Sequence, residues 1–506
     1  DGGTVIAFSP DTALLRSRAR MEAKGGTETG DGGFIELSGI RRVQVRGIAD
    51  ASAPNGQGGM FLIDPTDITI ASAGEDISDD GDGTFTCNAD ANIIEDATIE
   101  GYLDAGTSVT LDTADGDGSG GGTGGAYEGD GDIIQNADAA IDKTAGGAAT
   151  LTLIADRHIT LNGGIASSSD LLNVSLQADG TLTVGAGIDT NGGSFTASSA
   201  DIDISSGTIT ATGSAIQLYE IDGDDPMSVG TDTGDWSLDT AEYDNLTAAT
   251  VVLGEAGVQN AAITIDDLTP TTNAADLTVN ADGGTSGEVY VQNNATTLPA
   301  NADLTVNAGG NVSVTESVTL AGDGALRIET GAARQLTLGN GDGDTLTTAN
   351  QTVELQVDSM VVNGSAVITT SGGDLIIRPV TGGAARTAGI ATGGQISLTQ
   401  TNLDNLSLGG GTLVIGDAAG TTTLGDVTVN AADFGAANVS IHSGGQIDLS
   451  GDILTAAGTL DIDGAVDLSA DTLLDTTDSG NQPAGATISF ASSATVDGDY
   501  KLTVDA

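Results

Sequence analysis

Carboxylates are the side chains best suited to chemistry in this sequence, and two short stretches space them like calcium ligands. Asp115, Asp117 and Ser119 imitate the start of a Ca²⁺-binding loop, but a Glu at its twelfth position is missing. Asp342 and Asp344 lie in a Gly-rich stretch near the nonapeptide of Ca²⁺-binding β-rolls, which occurs only once. Both stretches are read more simply as turns. We therefore predict no obligate cofactor, with Ca²⁺ at these five residues as the alternative.

Catalytic groups other than carboxylates are few. The only histidines, His158 and His442, each sit in a strand-like stretch, so we interpret both as outward side chains. Uronate-cleaving enzymes need Arg or Lys near paired carboxylates. After residue 46 the basic residues are too scattered in sequence to suggest such a site: Lys143, Arg157, Arg327, Arg334, Arg378, Arg386 and Lys501. We therefore predict that the chain is not an enzyme, with a carbohydrate-active enzyme as the alternative.

The basic residues near the start of the chain suggest an assembly surface. Arg16, Arg18 and Arg20 occupy alternate positions, so in a strand they share one face. Arg42 and Arg46 are also an even number of residues apart, so in a strand they too would point to one side. A solvated basic face is the default interpretation. Our hypothesis is that these five residues meet the acidic body of a second copy and favour head-to-tail assembly.

Charge excludes one class of partner. The chain carries 14 basic and 72 acidic residues, a net charge of −58. Residues 1–50 hold seven of each sign, so the whole excess lies after residue 50. Nucleic acid needs Lys and Arg contacts that are missing here. The acidic surface is explained by solubility, or alternatively by a role in collecting Ca²⁺.

A six-residue, strand-like sequence motif, called the strand word below, recurs along the chain and predicts the fold. Asp276–Ala281 reads Asp-Leu-Thr-Val-Asn-Ala and returns as Asp303–Ala308, Asp426–Ala431 and, altered, Lys501–Ala506. Each copy alternates polar and apolar residues, as a strand with one buried face does. Gly is abundant at 76 residues and aromatic residues make up only 3%, so the interior must be narrow, with small aliphatic side chains from successive turns piled on one another.

The spacing of these words fits one architecture. Gly-Gly openings at Gly372 and Gly393 are 21 residues apart, and the first two strand words are 27 apart. A period near 20 with two or three short strands is typical of one rung of a parallel β-helix, and longer spacings indicate loops inserted at corners. We predict an all-β parallel β-helix with corner-loop insertions.

Three segments differ in regularity. Residues 1–70 carry well-spaced strand candidates, among them Thr4–Phe8, Phe34–Leu37 and Met60–Ile63. Residues 71–145 are an irregular, acidic, Gly-rich insertion, in which we predict the Gly-rich run after Asp115 to be a surface loop, and residues 146–506 are a dense β-helix shaft that continues into repeats. We expect a loop excursion at 220–246 whose Trp236 covers apolar surface, with a ligand platform as the alternative. No run of 18 apolar residues exists, so we predict no membrane-spanning segment.

Several passages resemble the filamentous-haemagglutinin-like exoproteins of Gram-negative bacteria. Residues 1–165 carry the likeness most closely and the rest by architecture only. The matching stretches are residues 25–39, 49–56 and 59–70, more loosely 105–111 and 156–162, and at the end 495–505, which looks like the first of that family's tandem repeats.

This resemblance implies a right-handed parallel β-helix that is secreted by the two-partner route through a dedicated outer-membrane transporter. It further implies an extracellular or cell-surface protein of a Gram-negative bacterium that acts in adhesion, filament formation or biofilm matrix. The implied partners are other copies of the chain, that transporter, and glycans of host or neighbouring cells. The family's N-terminal secretion domain is not recognisable, so we expect the chain to be shaft, cut at both ends from something longer.

Overall fold

The computed structural model describes residues 1–39, 42–73, 77–79, 85–87, 92–113, 131–383, 386–420, 422–482, 484–491 and 494–506. These residues form two compact units. Unit 1 comprises Asp1–Ile221 and Asp235–Val251, and unit 2 comprises Asp222–Gly234 and Val252–Ala506. Each unit is a parallel β-helix, so the predicted fold class is confirmed.

The strands up to residue 253 are β1 (Thr4–Ser9), β2 (Thr12–Leu15), β3 (Arg20–Glu22), β4 (Phe34–Gly39), β5 (Arg42–Val45), β6 (Ile48–Asp50), β7 (Met60–Asp64), β8 (Ile68–Ala71), β9 (Ile77–Asp79), β10 (Phe85–Cys87), β11 (Asn92–Glu95), β12 (Ser108–Asp112), β13 (Ile133–Gln135), β14 (Ile141–Lys143), β15 (Ala149–Ala155), β16 (Ile159–Leu161), β17 (Ile165–Ser167), β18 (Leu172–Val184), β19 (Gly187–Asp189), β20 (Phe195–Asp203), β21 (Thr208–Glu220), β22 (Met227–Gly230), β23 (Trp236–Asp239) and β24 (Leu246–Leu253).

The later strands are β25 (Ile263–Ile265), β26 (Asp276–Ala281), β27 (Val289–Val291), β28 (Thr296–Leu298), β29 (Leu304–Ala308), β30 (Val312–Val314), β31 (Val318–Leu320), β32 (Leu326–Glu329), β33 (Gln335–Leu338), β34 (Thr345–Thr347), β35 (Val353–Gln356), β36 (Ser359–Val362), β37 (Val367–Thr369), β38 (Leu375–Arg378), β39 (Ala388–Ile390), β40 (Ile396–Leu398), β41 (Leu406–Ser407), β42 (Thr412–Ile415), β43 (Val427–Asn430), β44 (Asn438–Ser450), β45 (Ile453–Leu454), β46 (Leu460–Leu468), β47 (Thr472–Asp475), β48 (Ile488–Phe490), β49 (Val496–Asp497) and β50 (Leu502–Asp505). The helices are α1 (Asp96–Asp104), α2 (Thr240–Tyr243) and α3 (Gln400–Asp404).

A rung places up to three strands on three faces, and each strand pairs in parallel with its counterparts in neighbouring rungs. In unit 1 the first face begins with β1, β4, β7, β12 and β15, the second includes β8, β13 and β16, and the third includes β14, β17 and β19. In unit 2 the first face runs through β26, β29, β32, β35, β38, β42, β44, β46 and β48.

The core consists of columns of apolar and mostly aliphatic side chains, one from each rung, as the composition predicts. On the first face of unit 1 the inward column is Ile35, Phe61, Val109, Leu151, Val174, Phe195 and Ile216. Each of these is 1% exposed or less. Burying one such side chain contributes about 1.5–3 kcal/mol, so the column stabilises each rung through its neighbours.

The repeated strand word marks a strand but not a fixed place in the rung. Its first two copies, in β26 and β29, stack in register on the first face, and Asn307 Nδ2 donates to Asn280 Oδ1 at 2.9 Å. The third copy, in β43, lies outside that face and pairs with β39 and with the second half of β44. The fourth copy, in β50, also lies outside it and pairs with β47. Alternation therefore encodes one buried side of a strand, whichever face that strand occupies.

Two segments are more regular than the sequence indicates. The expected loop excursion at 220–246 contains β22, β23 and α2, and Trp236 is a buried strand residue, 1% exposed. The segment 71–145 contains β11 to β14 and α1. Residues 114–130, including the Gly-rich run predicted to be a surface loop, lie outside the described residues.

Each of the three helices follows a strand, and the sequence period does not indicate the helices. In α2 and α3 the first turn is closed by a capping box, with Asp239 and Glu242 in one and Thr399 and Asn402 in the other. Capping boxes satisfy amides that a helix start leaves free. The sequences from 236 and 396 align as Trp/Ile-Ser-Leu followed, after five residues, by Asp-Asn-Leu, which is a repeat that only the structure makes recognisable. The longest helix described, α1, has nine residues and is too short to cross a bilayer.

Candidate functional site

The predicted calcium ligands that the structure describes serve a turn. Outside the described residues lie three of the five: Asp115, Asp117 and Ser119. In the turn between β33 and β34, Asp344 Oδ2 accepts the amide of Asn340 at 2.9 Å, and Asn340 Oδ1 accepts the amide of Asp342 at 2.8 Å. Within the described ranges, no group of three or more His, Cys, Asp or Glu side chains is placed to hold a metal ion. Ca²⁺ binding stays a prediction.

The first predicted basic face is not formed as a strand face. Arg16 and Arg18 lie in the turn between β2 and β3, which a backbone hydrogen bond of 2.7 Å closes. Only Arg20 is a strand residue, and its Nε donates to Glu22 at 2.7 Å. The expectation of one shared strand face is therefore wrong, because the chain turns a corner at residues 16–19. All three arginines are nevertheless exposed.

The second predicted basic pair is also split. Arg42 begins β5 and is only 5% exposed, whereas Arg46 lies at the corner after β5 and is exposed. The two do not share an outer face, since the strand ends between them. A basic surface in this part of unit 1 would thus consist of Arg16, Arg18, Arg20 and Arg46, without Arg42.

Arginines that look scattered in the sequence come together on the first face of unit 2. Arg378 Nε donates to Glu354 Oε1 at 2.6 Å, and Arg327 Nε lies 3.8 Å from Glu354 Oε2. Arg327 also pairs with Glu329 and donates to Gln356 at 3.0 Å. Because positive and negative groups alternate across neighbouring rungs, this arginine–glutamate cluster neutralises itself and ties three rungs together.

One corner beside this cluster is built on a single buried carboxylate. Asp358, whose side chain has no exposed surface, accepts the amides of Ala333, Val380 and Thr381 at 2.8 to 3.0 Å and the hydroxyl of Thr381 at 2.8 Å. Arg386 Nη2 lies 3.0 Å from Oδ2. Burial acts to raise the pKa of Asp358, but the hydrogen bonds from Thr381 and Ala333 and the charge of Arg386 outweigh it, so the pKa is lowered.

The arrangement with the most chemical potential lies further along the same face, on β44 and β46. Ser440 and His442 are two residues apart on β44 and point outward, while Val439 and Ile441 point into the core. In the next rung Asp461 is opposite Ser440 and Asp463 is opposite His442. The β-helix thus brings together a Ser-x-His motif and an Asp-x-Asp motif that are 21 residues apart in sequence.

The four side chains form a connected set. Ser440 Oγ lies 2.8 Å from His442 Nε2, and His442 Nδ1 lies 3.3 Å from Asp463 Oδ2. Ser440 Oγ is also 3.2 Å from Asp461 Oδ2, whose other oxygen accepts from Ser489 Oγ at 2.7 Å. The imidazole is largely covered, with 13% of the side chain exposed. We call Ser440, His442, Asp461 and Asp463 the serine–histidine cluster.

A serine, a histidine and a carboxylate in this order match the connectivity of a nucleophile, its base and the group that orients the base. In the tautomer that carries its proton on Nδ1, His442 donates to Asp463 and its Nε2 is free to accept the proton of Ser440. His442 is therefore more than the plain outward side chain that we predicted. In the sequence, this cluster is visible only as a Ser-x-His motif and an Asp-x-Asp motif that lie one rung apart.

The other histidine has a structural role. His158 Nδ1 accepts the amide of Thr181 at 2.9 Å, across neighbouring rungs of unit 1. Its backbone amide donates to Asp132 at 3.2 Å, and the same carboxylate pairs with Arg157. The pKa of Asp132 is lowered because the hydrogen bond and charge of Arg157 outweigh the effect of burial, which acts to raise it. His158 therefore fixes a corner and faces no reactive group among these contacts.

Unit 1 carries a cleft of about 720 Å³ at the corner that precedes the first-face strands. It is lined by small or uncharged residues, among them Ser52, Gln57, Ser108, Thr150 and Asn173. The lining includes neither a carboxylate nor Trp236, which are the groups expected of a carbohydrate-cleaving groove. The cleft thus offers hydroxyl and amide groups, and no acid or base.

No protein-family model matches this sequence, and no curated protein compared with it is similar enough to indicate a relationship. The functional interpretation therefore depends on the fold and on the side-chain geometry described above.

Proposed function

We propose that this chain is an extracellular structural and adhesive protein, a segment of shaft in a surface filament or biofilm matrix of a Gram-negative bacterium. The observation that carries the proposal is the stacking itself. In unit 2 the inward column Leu277, Leu304, Leu326, Val353 and Leu375 continues from rung to rung in register. A fold in which each rung contacts only its neighbours is extended by adding rungs, which suits a shaft.

The outer surface supports the same proposal. On the first face of unit 2, Arg327 and Arg378 are paired with glutamates in the arginine–glutamate cluster. The cleft of unit 1 lacks the carboxylates that an alternative carbohydrate-active function requires. An acidic, well-hydrated exterior favours solubility in an extracellular setting. The resemblance of residues 25–70 to filamentous-haemagglutinin-like exoproteins gives the expected export route, through a two-partner outer-membrane transporter.

We further propose that copies associate through the exposed basic residues of unit 1. Arg16, Arg18 and Arg20 are exposed in a region of balanced charge, whereas the rest of the chain is strongly acidic. Opposite charges on two copies increase the rate of encounter and fix the orientation of docking. The contacts to glycans of host or neighbouring cells that an adhesin needs would lie on surfaces that remain free after this association.

The test is electron microscopy of the purified full chain together with sedimentation velocity. We expect fibres or ordered oligomers from the native protein, and single particles from the triple variant Arg16→Glu, Arg18→Glu, Arg20→Glu. The matched control replaces the same three residues with Lys, which keeps the charge and should preserve assembly. Single particles from the native protein at all concentrations would refute the filament, and assembly of the Glu variant would refute the proposed interface.

A further inference from the structure

We propose that Ser440 is a nucleophile that accepts the acyl group of a carboxylic ester, with His442 as its general base. The proposal goes beyond a structural role and is independent of filament formation. It rests on the serine–histidine cluster, where a hydroxyl, an imidazole and a carboxylate follow one another at 2.8 and 3.3 Å. A serine hydroxyl is a weak nucleophile unless a positioned base removes its proton, and His442 Nε2 is placed to do so.

The proton has a defined path. As Ser440 Oγ attacks the ester carbonyl carbon, its proton moves to His442 Nε2 and the imidazolium is stabilised by Asp463. When the tetrahedral intermediate collapses, the bond to the leaving alcohol breaks and that alcohol takes the proton from Nε2. The products are acyl-Ser440 and the free alcohol. Water then attacks the acyl group by the same steps, giving the carboxylic acid and restoring Ser440.

Asp461 is the competing acceptor for the hydroxyl proton. Its Oδ2 is 3.2 Å from Ser440 Oγ, which is longer than the 2.8 Å to His442 Nε2. Its other oxygen is already engaged by Ser489 at 2.7 Å. Hydrogen bonds weaken with distance, so we assign the proton of Ser440 to His442. Replacing Asp461 then tests the assignment directly, because labelling would depend on Asp461 if that carboxylate, rather than His442, took the proton.

The residues around Ser440 determine which acyl groups the site favours. On the side away from Asp461, the neighbour of Ser440 is Val414 of β42, an apolar and partly exposed side chain. Asp461 and Asp463 make the site negative, which disfavours an anionic acyl group by repulsion. A small, neutral acyl group such as acetyl fits both features.

The direction of the backbone N–H groups limits the rate of this reaction. The backbone N–H groups of β44 and β46 lie in the plane of the sheet and bond to neighbouring strands, at right angles to the direction in which Ser440 points. Water must therefore stabilise the oxyanion, which is less effective than preorganised donors. We expect acylation by activated esters to be measurable and release of the acyl group to be slow, so covalent labelling is the sensitive assay.

The experiment treats the full native chain with p-nitrophenyl acetate and, separately, with a fluorophosphonate probe, and locates adducts by peptide mass spectrometry. We expect modification at Ser440 and none in Ser440→Ala, whereas Ser313→Ala, which removes another outward strand serine, should label like the native chain. His442→Ala should slow labelling about 100-fold, and added imidazole should restore part of it. An unmodified Ser440 in folded protein, or equal labelling in His442→Ala, would overturn the proposal.

Two further variants separate chemistry from folding. Asp461→Asn should label at least as fast as the native chain, and a large loss of labelling would show that Asp461, not His442, holds the proton. Asp463→Asn tests a positioning residue, and it should slow labelling about tenfold. Since the chain has only two histidines, selective ¹⁵N labelling reports the tautomer of His442. Asp463→Asn should lower the fraction with the proton on Nδ1, and an unchanged tautomer would refute its positioning role.

Discussion

Asp358→Asn should destabilise unit 2 by removing the charge at the centre of one of its corners. The carboxylate has no exposed surface and accepts hydrogen bonds from Ala333, Val380 and Thr381 while facing Arg386. Asn has the same shape, so the change leaves no cavity. It removes the charge and converts one acceptor oxygen into a donor.

The magnitude follows from which contacts survive. In the better orientation the Asn oxygen keeps the amides of Val380 and Thr381, and the Thr381 hydroxyl rotates to accept. The amide of Ala333 and the guanidinium of Arg386 then face a donor. A buried donor without an acceptor costs about 1–3 kcal/mol, and breaking a buried ion pair costs about 3–5 kcal/mol. Because 20% of the Arg386 side chain is exposed and water screens its charge, we expect about 3 kcal/mol in total.

The pH dependence has a fixed sign. The pKa of Asp358 is lowered in the folded protein, because the hydrogen bonds and Arg386 outweigh the effect of burial. Its contribution to stability is therefore fully present above the pKa of an unfolded Asp, about 3.9, and is lost as the pH falls through the lower folded value. The difference between the native chain and Asp358→Asn should be constant near neutral pH and should shrink below about pH 4.

Hydrogen exchange with mass spectrometry is the assay, since it reports local opening at this corner. A loss of about 3 kcal/mol corresponds to roughly 100-fold faster exchange in peptides covering residues 330–340 and 375–390. The control is Asp323→Asn, which removes the same charge from an exposed turn and should change exchange by less than about threefold. Unchanged protection in Asp358→Asn at pH 7 would refute the assignment of this carboxylate as the centre of the corner.

Three more substitutions test other parts of the fold. Lys143→Met should destabilise unit 1 by about 1–3 kcal/mol in guanidinium titrations, because the fully buried ammonium donates to the carbonyls of Ala145 and Ser169; a stabilised variant would contradict this. Thr399→Ala should cost about 1 kcal/mol and speed exchange in residues 400–407, because the hydroxyl caps α3. Gly416→Ala should destabilise unit 2 by about 1–3 kcal/mol and so lower its thermal midpoint, since φ is +94° and a Cβ would lie 2.2 Å from a backbone oxygen.

The fold class and much of the strand assignment followed from the sequence. The predicted strands Thr4–Phe8, Phe34–Leu37 and Met60–Ile63 lie within β1, β4 and β7. Alternation identifies such strands because one side of each is buried against the core. The expectation for residues 16–20 was wrong because alternation of arginines carries no burial signal, and a corner and a strand look alike when every side chain is polar.

The helices were missed for a different reason. The helices α2 and α3 are only four and five residues long, so no helical period can develop within them. Their capping boxes are local signals, but Asp239 and Thr399 resemble ordinary corner residues in a chain this rich in Asp and Thr. Trp236 was expected to cover apolar surface, with a ligand platform as the alternative, and its burial in β23 shows that it belongs to the core.

By itself the sequence determined that this protein is a stack of short parallel strands with a narrow aliphatic interior, since period, alternation and the scarcity of aromatic residues are local properties. Tertiary structure alone decided which polar side chains meet. Neighbours across rungs are 20 to 40 residues apart, as Ser440 and Asp461 or Asn402 and Val362 are, and that distance varies with each corner loop. Contacts such as the serine–histidine cluster arise only when strands stack about 4.8 Å apart in a register that the whole rung sets.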